Sequence, residues 1–183
     1  MLHLETERLV IRNYSLTDID DYYEYMSLDY TAEQEDFEPF SYQQCVDAVN
    51  ERLTDDTYMA VVLKEKNKMI GDLCFRAREY ETFEIAYDFN VAHEKHGYAT
   101  EACRALVDFL FRKKEARRVV SECNDTNLKS VHLLERLGFR REGHFLEDVC
   151  FKKNSDGSPI YINSYYYATL KHEWVRGSSK RID

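Results

Sequence analysis

In "TFEIAYDFNV", Phe83, Ile85, Tyr87 and Phe89 alternate with Glu84, Ala86, Asp88 and Asn90. This two-residue period predicts a strand with two unlike faces over Thr82–Val91. Three earlier runs also read as strands: "RLVIRNY" (Arg8–Tyr14), "YMAVVLK" (Tyr58–Lys64) and "KMIGDLCFRA" (Lys68–Ala77). Asn67, in "KEKNKM", stands where a hairpin turn is needed, and "REYE" marks the next reversal. Between the first two strands lie two polar helices, about Leu16–Leu28 and Tyr42–Leu53, with Ser15 and Ser41 as N-caps. "DYTAEQEDFEPFS" mixes acids, aromatics and a proline, and reads as a loop.

Past Gly97 the period lengthens. Ala102, Leu106, Phe109 and Leu110 recur at helical spacing through Lys114, and "RRVVSEC" (Arg117–Cys123) is a compact strand. "DTNLKSVHLLERLGF" is a second amphipathic helix with Leu128, Val131, Leu134 and Leu137 on one face. Asp125 or Thr126 suits its N-cap, and Gly138 its C-terminal stop. Strand-like stretches, Phe139–Cys150 and Ile160–Leu170, flank the "KKNSDGSP" loop, and "RGSSKRID" reads as a frayed tail. The order of elements gives a mixed α/β domain, without the regular βαβ alternation of a doubly wound dinucleotide fold.

Composition narrows the function classes. A chain of 183 residues, 44 % hydrophobic, can bury the core of one globular domain. No segment approaches the roughly 20 consecutive apolar residues of a membrane helix, and "MLHLETERLV" lacks the pattern of a secretory signal, so a soluble cytoplasmic protein is expected, with no membrane partner. The five cysteines are scattered and form no CxxC pair, which argues against a disulfide framework and a structural zinc site. His93 and His96 have no further ligand cluster nearby, and no metal is predicted. A net charge of −9 disfavours nucleic acid and would attract a cationic acceptor, a tilt that the acidic loop Glu33–Glu38 adds to.

The candidate chemistry starts at "HEKHGYATEACRAL", whose one glycine lies between a strand and a helix. The first N–H groups of such a helix point forward unpaired and, with the helix dipole, make an anion site. Gly97 and Ala99 leave room for a phosphate to approach, and Thr100 adds a hydroxyl. Neither GxxxxGK[ST] nor GxGxxG is present, so the turn alone specifies no nucleotide.

A second constellation, "NDTNLKSVHLLERLGF", carries Asn127, Ser130 and a Leu-Gly-Phe end. With "GYATEA" (Gly97–Ala102) and the opening "ETERLVIR", it resembles the GCN5-related N-acetyltransferase family, and within it the subgroup that acetylates ribosomal-protein N-termini and related amines. The likeness runs from about Glu5 to Trp174. It implies a mixed, mostly antiparallel central sheet that splays open, flanked by helices, in one domain (residues 1–175) followed by a flexible tail (176–183). It also implies acetyl-CoA as cosubstrate and direct transfer to a primary amine. Phe89, Asn90 and Val91 would offer their backbone to the pantetheine amides. Lys95, His96, Gly97, Tyr98, Ala99 and Thr100 would take the pyrophosphate, and Asn127 would bond the pantetheine arm.

Two positions depart from the family pattern. Glu94 stands where Gln or Arg is usual, with Lys95 beside it. Leu134 stands seven residues after Asn127, where many members place the tyrosine that donates a hydrogen bond to the leaving thiolate. In the resembling subgroup a serine three residues after the asparagine takes that task, here Ser130. Holding a lysine amine of reference pKa about 10.4 neutral at pH 7 costs on the order of 4–5 kcal/mol, and an α-amine near 8 only about 1 kcal/mol. A general base lowers that burden, and Glu84, on the strand leading to the site, is the candidate, with Glu38, Glu147 and His144 as rivals. Many relatives are homodimers. Two other readings stay open: a non-catalytic acyl-CoA sensor, favoured by Glu94 and the missing tyrosine, and a nucleic-acid module using "RKKEARR" (Arg112–Arg118). Acceptor-dependent thiol release separates the first from an enzyme, and a salt-dependent RNA shift tests the second.

Overall fold

The computed structural model describes residues 2–34, 38–154 and 156–174, without the side chains of residues 33, 34 and 151. The expected tail, 176–183, lies outside the described residues, as do residues 35–37 of the acidic loop Glu33–Glu38. The chain forms two compact units, Met1–Phe75 with Ala86–Leu106, and Arg76–Ile85 with Val107–Asp183.

In the first unit, β1 (His3–Glu5), β2 (Leu9–Arg12), β3 (Tyr58–Leu63) and β4 (Lys68–Arg78) lie side by side in that order, each pair antiparallel, and β5 (Thr82–Phe89) follows β4. Gly71 fits β4 to β5: a Cβ there would meet the Asp88 carbonyl oxygen at 2.4 Å and the Phe89 ring at 2.6 Å. Helices α1 (Ile19–Met26), α2 (Asp29–Gln34) and α3 (Tyr42–Arg52) join β2 to β3. Tyr22, Tyr25, Met26, Cys45 and Val49 from these helices are buried with Ala60, Val62 and Met69 of the strands. Each buried valine or methionine side chain there is worth about 1.5–3 kcal/mol.

Ser15 and Ser41 cap as expected, each in a reciprocal capping box, with Asp18 and Gln44 respectively. Asp18 also takes both guanidinium nitrogens of Arg12 at 2.8 Å, which pins this helical start to β2. The loop expected over "DYTAEQEDFEPFS" is corrected in part. Asp29–Gln34 is helical, because Thr31 and Ala32 are buried and the turn continues from Leu28, whose carbonyl accepts the Ala32 N–H. The reversals fall where expected, with Asn67, Tyr80 and Glu81 at positive φ.

In the second unit the start of β5 pairs parallel to β6 (Arg118–Asn124), β6 antiparallel to β8 (Pro159–Leu170), and β8 antiparallel to β7 (Arg140–Lys153). The mixed, mostly antiparallel sheet flanked by helices is thus what forms. The β5–β6 ladder ends at Glu84↔Val120, and the buried Ser121 hydroxyl then donates to the Ile85 carbonyl at 3.0 Å, while β6 goes on against β8 to Asn124. The parallel contact is therefore short, as a splayed sheet requires.

Helix α4 (Tyr98–Lys113) runs through the boundary between the units, and α5 (Leu128–Leu137) follows β6. Val131, Leu134 and Leu137 of α5 are buried, but Leu128, expected on the same face, is 59 % exposed in its first turn. Leu134 at 0 % exposure is a core residue, as its apolar character requires. The α5 cap is also corrected. Asn127, not Asp125 or Thr126, caps the helix by accepting the Ser130 N–H at 3.1 Å. Asp125 is engaged by His144 and Asn163, and the Thr126 hydroxyl donates to Asn124.

Candidate active site

In the first unit, a single helical turn, Val91–His93, follows Asn90 at the end of β5. Asn90 is 1 % exposed and fully engaged. Its N–H donates to the Ile70 carbonyl (2.9 Å), its carbonyl accepts the His93 N–H (2.9 Å), its Oδ1 accepts the Ala92 N–H (2.9 Å) and its Nδ2 donates to Glu24 (2.9 Å). Asn90 shapes the end of the strand, and Phe89 and Val91 on either side of it are half-buried.

The chain then turns through Glu94–Gly97, with Lys95 at φ +63° and Gly97 at φ +80°. The His96 imidazole bonds the Glu94 carbonyl at 2.7 Å and stacks on the Tyr98 ring with centroids 5.5 Å apart. Lys95, His96 and Gly97 are exposed, and Tyr98, Ala99 and Thr100 half-buried. This end of the 16-residue α4 suits an anion. Its aligned peptide dipoles place roughly half a positive charge there, Gly97 has no side chain to cap the first amides, and Lys95 adds a cation. The residues present therefore fit a diphosphate.

In the second unit, β6 leads to Asn127 and Ser130, which lie together at the start of α5, 8 % and 9 % exposed. Asn127→Ala should cost about 1 kcal/mol through the lost cap, read as a fall of a few degrees in Tm without cosubstrate.

Glu84 sits on β5 with its carboxylate bound by both Nε (2.8 Å) and a terminal nitrogen of Arg78. Glu84 also acts on a residue that the sequence reading missed. Glu122 is exposed on β6, yet partial desolvation, a shared hydrogen bond with Asp148 and the charges of Asp148 and Glu84 push its carboxyl up, against the bond from Ser164. Four elements, β5 to β8, thus bring Glu84, Glu122, Asp148 and Ser164 into one group. No local pattern distinguishes Glu122 in "SECN" from a solvated strand residue.

Two of the rival bases have partners of their own. His144 donates to Asp125 at 2.9 Å and faces the Tyr165 ring, while Glu147, at φ +51° in a bulge of β7, donates its N–H to Asn163. Glu38 is exposed. The basic run ends in structural contacts: Arg117 donates to the Tyr80 carbonyl at 3.1 Å, and Arg118 pairs with Glu142.

An α/β fold with a short parallel contact in a mostly antiparallel sheet, and a helix start that suits an anion after β5, fits an acyl-CoA-handling transferase. Residues 8–140 match the acetyltransferase (GNAT) domain, and the chain belongs to that family. It is 30 % identical to the uncharacterized N-acetyltransferase YnaD of Bacillus subtilis strain 168 over 175 residues, 94 % of this chain and 99 % of that protein. It is 29 % identical over 114 residues to the ribosomal-protein-serine acetyltransferase of Escherichia coli K12, 61 % of this chain and 60 % of that one. An acetyltransferase of the GNAT family from Bacillus anthracis superposes with a TM-score of 0.85 at 27 % identity, over 93 % of this chain and 99 % of that one. The spermidine N-acetyltransferase of Vibrio cholerae, solved with CoA and spermine, shares the fold at a TM-score of 0.76 and 18 % identity, over 93 % and 99 % of the two chains. The protein is an N-acetyltransferase with acetyl-CoA as its cosubstrate. Among the described residues no helix is long and apolar enough to cross a membrane.

Proposed function

We propose that the protein transfers acetyl directly to a primary amine, borne by a protein N-terminus or a small cationic molecule, in the cytoplasm and within one catalytic domain (residues 1–175). The observation that carries the amine reading is the gathering of three carboxyls, Glu84 of β5, Glu122 of β6 and Asp148 of β7. Such a group attracts an ammonium ion, and a carboxylate of raised pKa is a stronger base for its proton. Five free cysteines, none disulfide-bonded, suit a reducing compartment.

Acetyl-CoA supplies an activated thioester. The amides of Lys95–Thr100 hold its diphosphate. Phe89, the last residue of β5, offers strand backbone to the pantetheine, and Asn127 bonds the arm. Glu122 receives the proton of the incoming amine, with Glu84 tuning it from the neighbouring strand. Ser130, the third residue of α5, donates a hydrogen bond to the departing thiolate. The names of two relatives suggest the first acceptors to try: peptides with N-terminal serine, and spermidine.

The test is free-thiol release from acetyl-CoA against a panel of these amines and their pre-acetylated forms. Release at least tenfold above background with a free amine, absent with its acetylated form, is expected. Intact acetyl-CoA binding with no amine-dependent release across the panel would overturn the amine reading.

A further inference from the structure

The turn Glu94–Gly97 is an unlikely shape for a chain to hold unaided. Lys95 sits at φ +63°, where a side chain is disfavoured, one residue away from a second positive φ at Gly97. Such conformations persist only where surrounding contacts over-determine them. Besides the His96–Glu94 bond within the turn, one residue nearly ninety positions upstream holds it. Arg8 Nη1 donates to the His96 carbonyl at 2.9 Å, between the two left-handed residues, and its guanidinium lies 4.6 Å from the centre of the Tyr98 ring. A Cβ added at Gly97 would come 3.6 Å from Arg8 Nη2.

Arg8 also grips the helix that follows. Its Nε donates to Glu101 Oε2 at 2.7 Å, its Nη2 lies 2.6 Å from the same oxygen, and its backbone N–H donates to Oε1 at 2.9 Å. Thr6 adds its hydroxyl to Oε1 at 2.6 Å. Glu101 lies in the first turn of α4, the turn whose amides face the diphosphate in the reading above. A bare carboxylate there would repel that anion. Burial alone would raise its pKa, but the bonds from Thr6 and Arg8 outweigh burial and hold it below the usual carboxylate range, so Glu101 is ionised and its charge is met by Arg8.

We infer that Arg8 is a positioning residue for cosubstrate binding: it fixes the Glu94–Gly97 turn in its anion-accepting shape and neutralises Glu101 beneath it. This rests on the turn holding the diphosphate of acetyl-CoA. Arg8 acts on the turn and not on the thioester, so its loss must show only with donors that carry a diphosphate.

The test compares two acetyl donors, acetyl-CoA and acetyl-pantetheine, which shares the thioester and arm but lacks the diphosphate. Arg8→Ala should raise KM for acetyl-CoA about tenfold, change kcat at saturation less than about threefold, and leave kcat/KM for acetyl-pantetheine unchanged. Arg8→Lys keeps the charge but loses the two-pronged grip, so it should shift KM in the same donor-selective way by a smaller factor. It also carries the test if the alanine variant folds poorly. Equal losses with both donors, or an unchanged KM for acetyl-CoA, would overturn the role of Arg8. Gly97→Val, in the turn itself, separates the two layers. If it is donor-selective while the Arg8 variants are not, only the Arg8 inference fails. If it affects neither donor, the diphosphate reading fails as well.

Discussion

Replacing Asp72 by alanine should lower the unfolding free energy by about 3–5 kcal/mol, a fall of roughly 10 °C in Tm for a chain of this size. Asp72 projects from β4 into the first unit's core and is 4 % exposed. Its carboxylate accepts from Tyr14 Oη, from Tyr25 Oη at 3.3 Å and from Arg52 Nη1 at 2.9 Å. Arg52, on α3, is held among three rings, with its guanidinium carbon 5.4, 5.0 and 4.7 Å from the centres of Tyr14, Tyr22 and Tyr58. Removing the carboxylate leaves a largely buried cation without its counter-charge and the buried Tyr25 hydroxyl without that acceptor, and leaving a charge uncompensated costs more than the pair itself contributes. The double variant Asp72→Leu with Arg52→Met, which removes both charges, should therefore regain part of the loss. Denaturant unfolding of the three proteins checks both statements. A single variant within 1 kcal/mol of wild type would show that water reaches Arg52 and that the cluster is not a closed core.

That cluster is one of the features invisible in the one-dimensional pattern. Asp72 falls in "MIGDLCF", where a lone acid in an apolar strand reads as an outward-facing residue, and nothing local announces that Arg52 and two tyrosines converge on it. What the pattern conveys well is whatever depends on neighbours in the chain. The capping serines Ser15 and Ser41, the left-handed turn at Asn67 and the α4 start at Gly97 all follow from local bonding or backbone freedom. The cap of α5 was misread among adjacent polar residues because Asp125 and Thr126 are claimed by partners, His144 and Asn163 for Asp125 and Asn124 for Thr126. Helix Asp29–Gln34 was hidden by its polar composition, and packing of Thr31 and Ala32 decides it. The site divides in the same way. The Gly97 turn and the Asn127–Ser130 pair are short-range motifs, legible as a resemblance, whereas the grip of Arg8 on Glu101 and the gathering of Glu84, Glu122 and Asp148 need the register of strands far apart in sequence.

Glu122→Gln should reduce kcat/KM for the amine acceptor by 10²–10⁴-fold, the usual contribution of a positioned general base. Glutamine keeps the shape and the hydrogen-bonding reach to Ser164 and Asp148, so KM for acetyl-CoA and the Tm should change little. The pH dependence carries the sign. The Glu122 carboxyl is raised by partial desolvation and by Asp148 and Glu84, and a base works only when deprotonated, so activity should fall as pH drops through that raised pKa. Glu84→Gln removes one of the charges that raise it. The acid limb should then move to lower pH, with a far smaller loss of rate, while Ser130→Ala should lower kcat without moving that limb. The limb separates a base from a bystander. If Glu122→Gln keeps wild-type activity, or loses it with the limb still in place, the proton leaves by another route, and the His144–Asp125 pair becomes the group to mutate next.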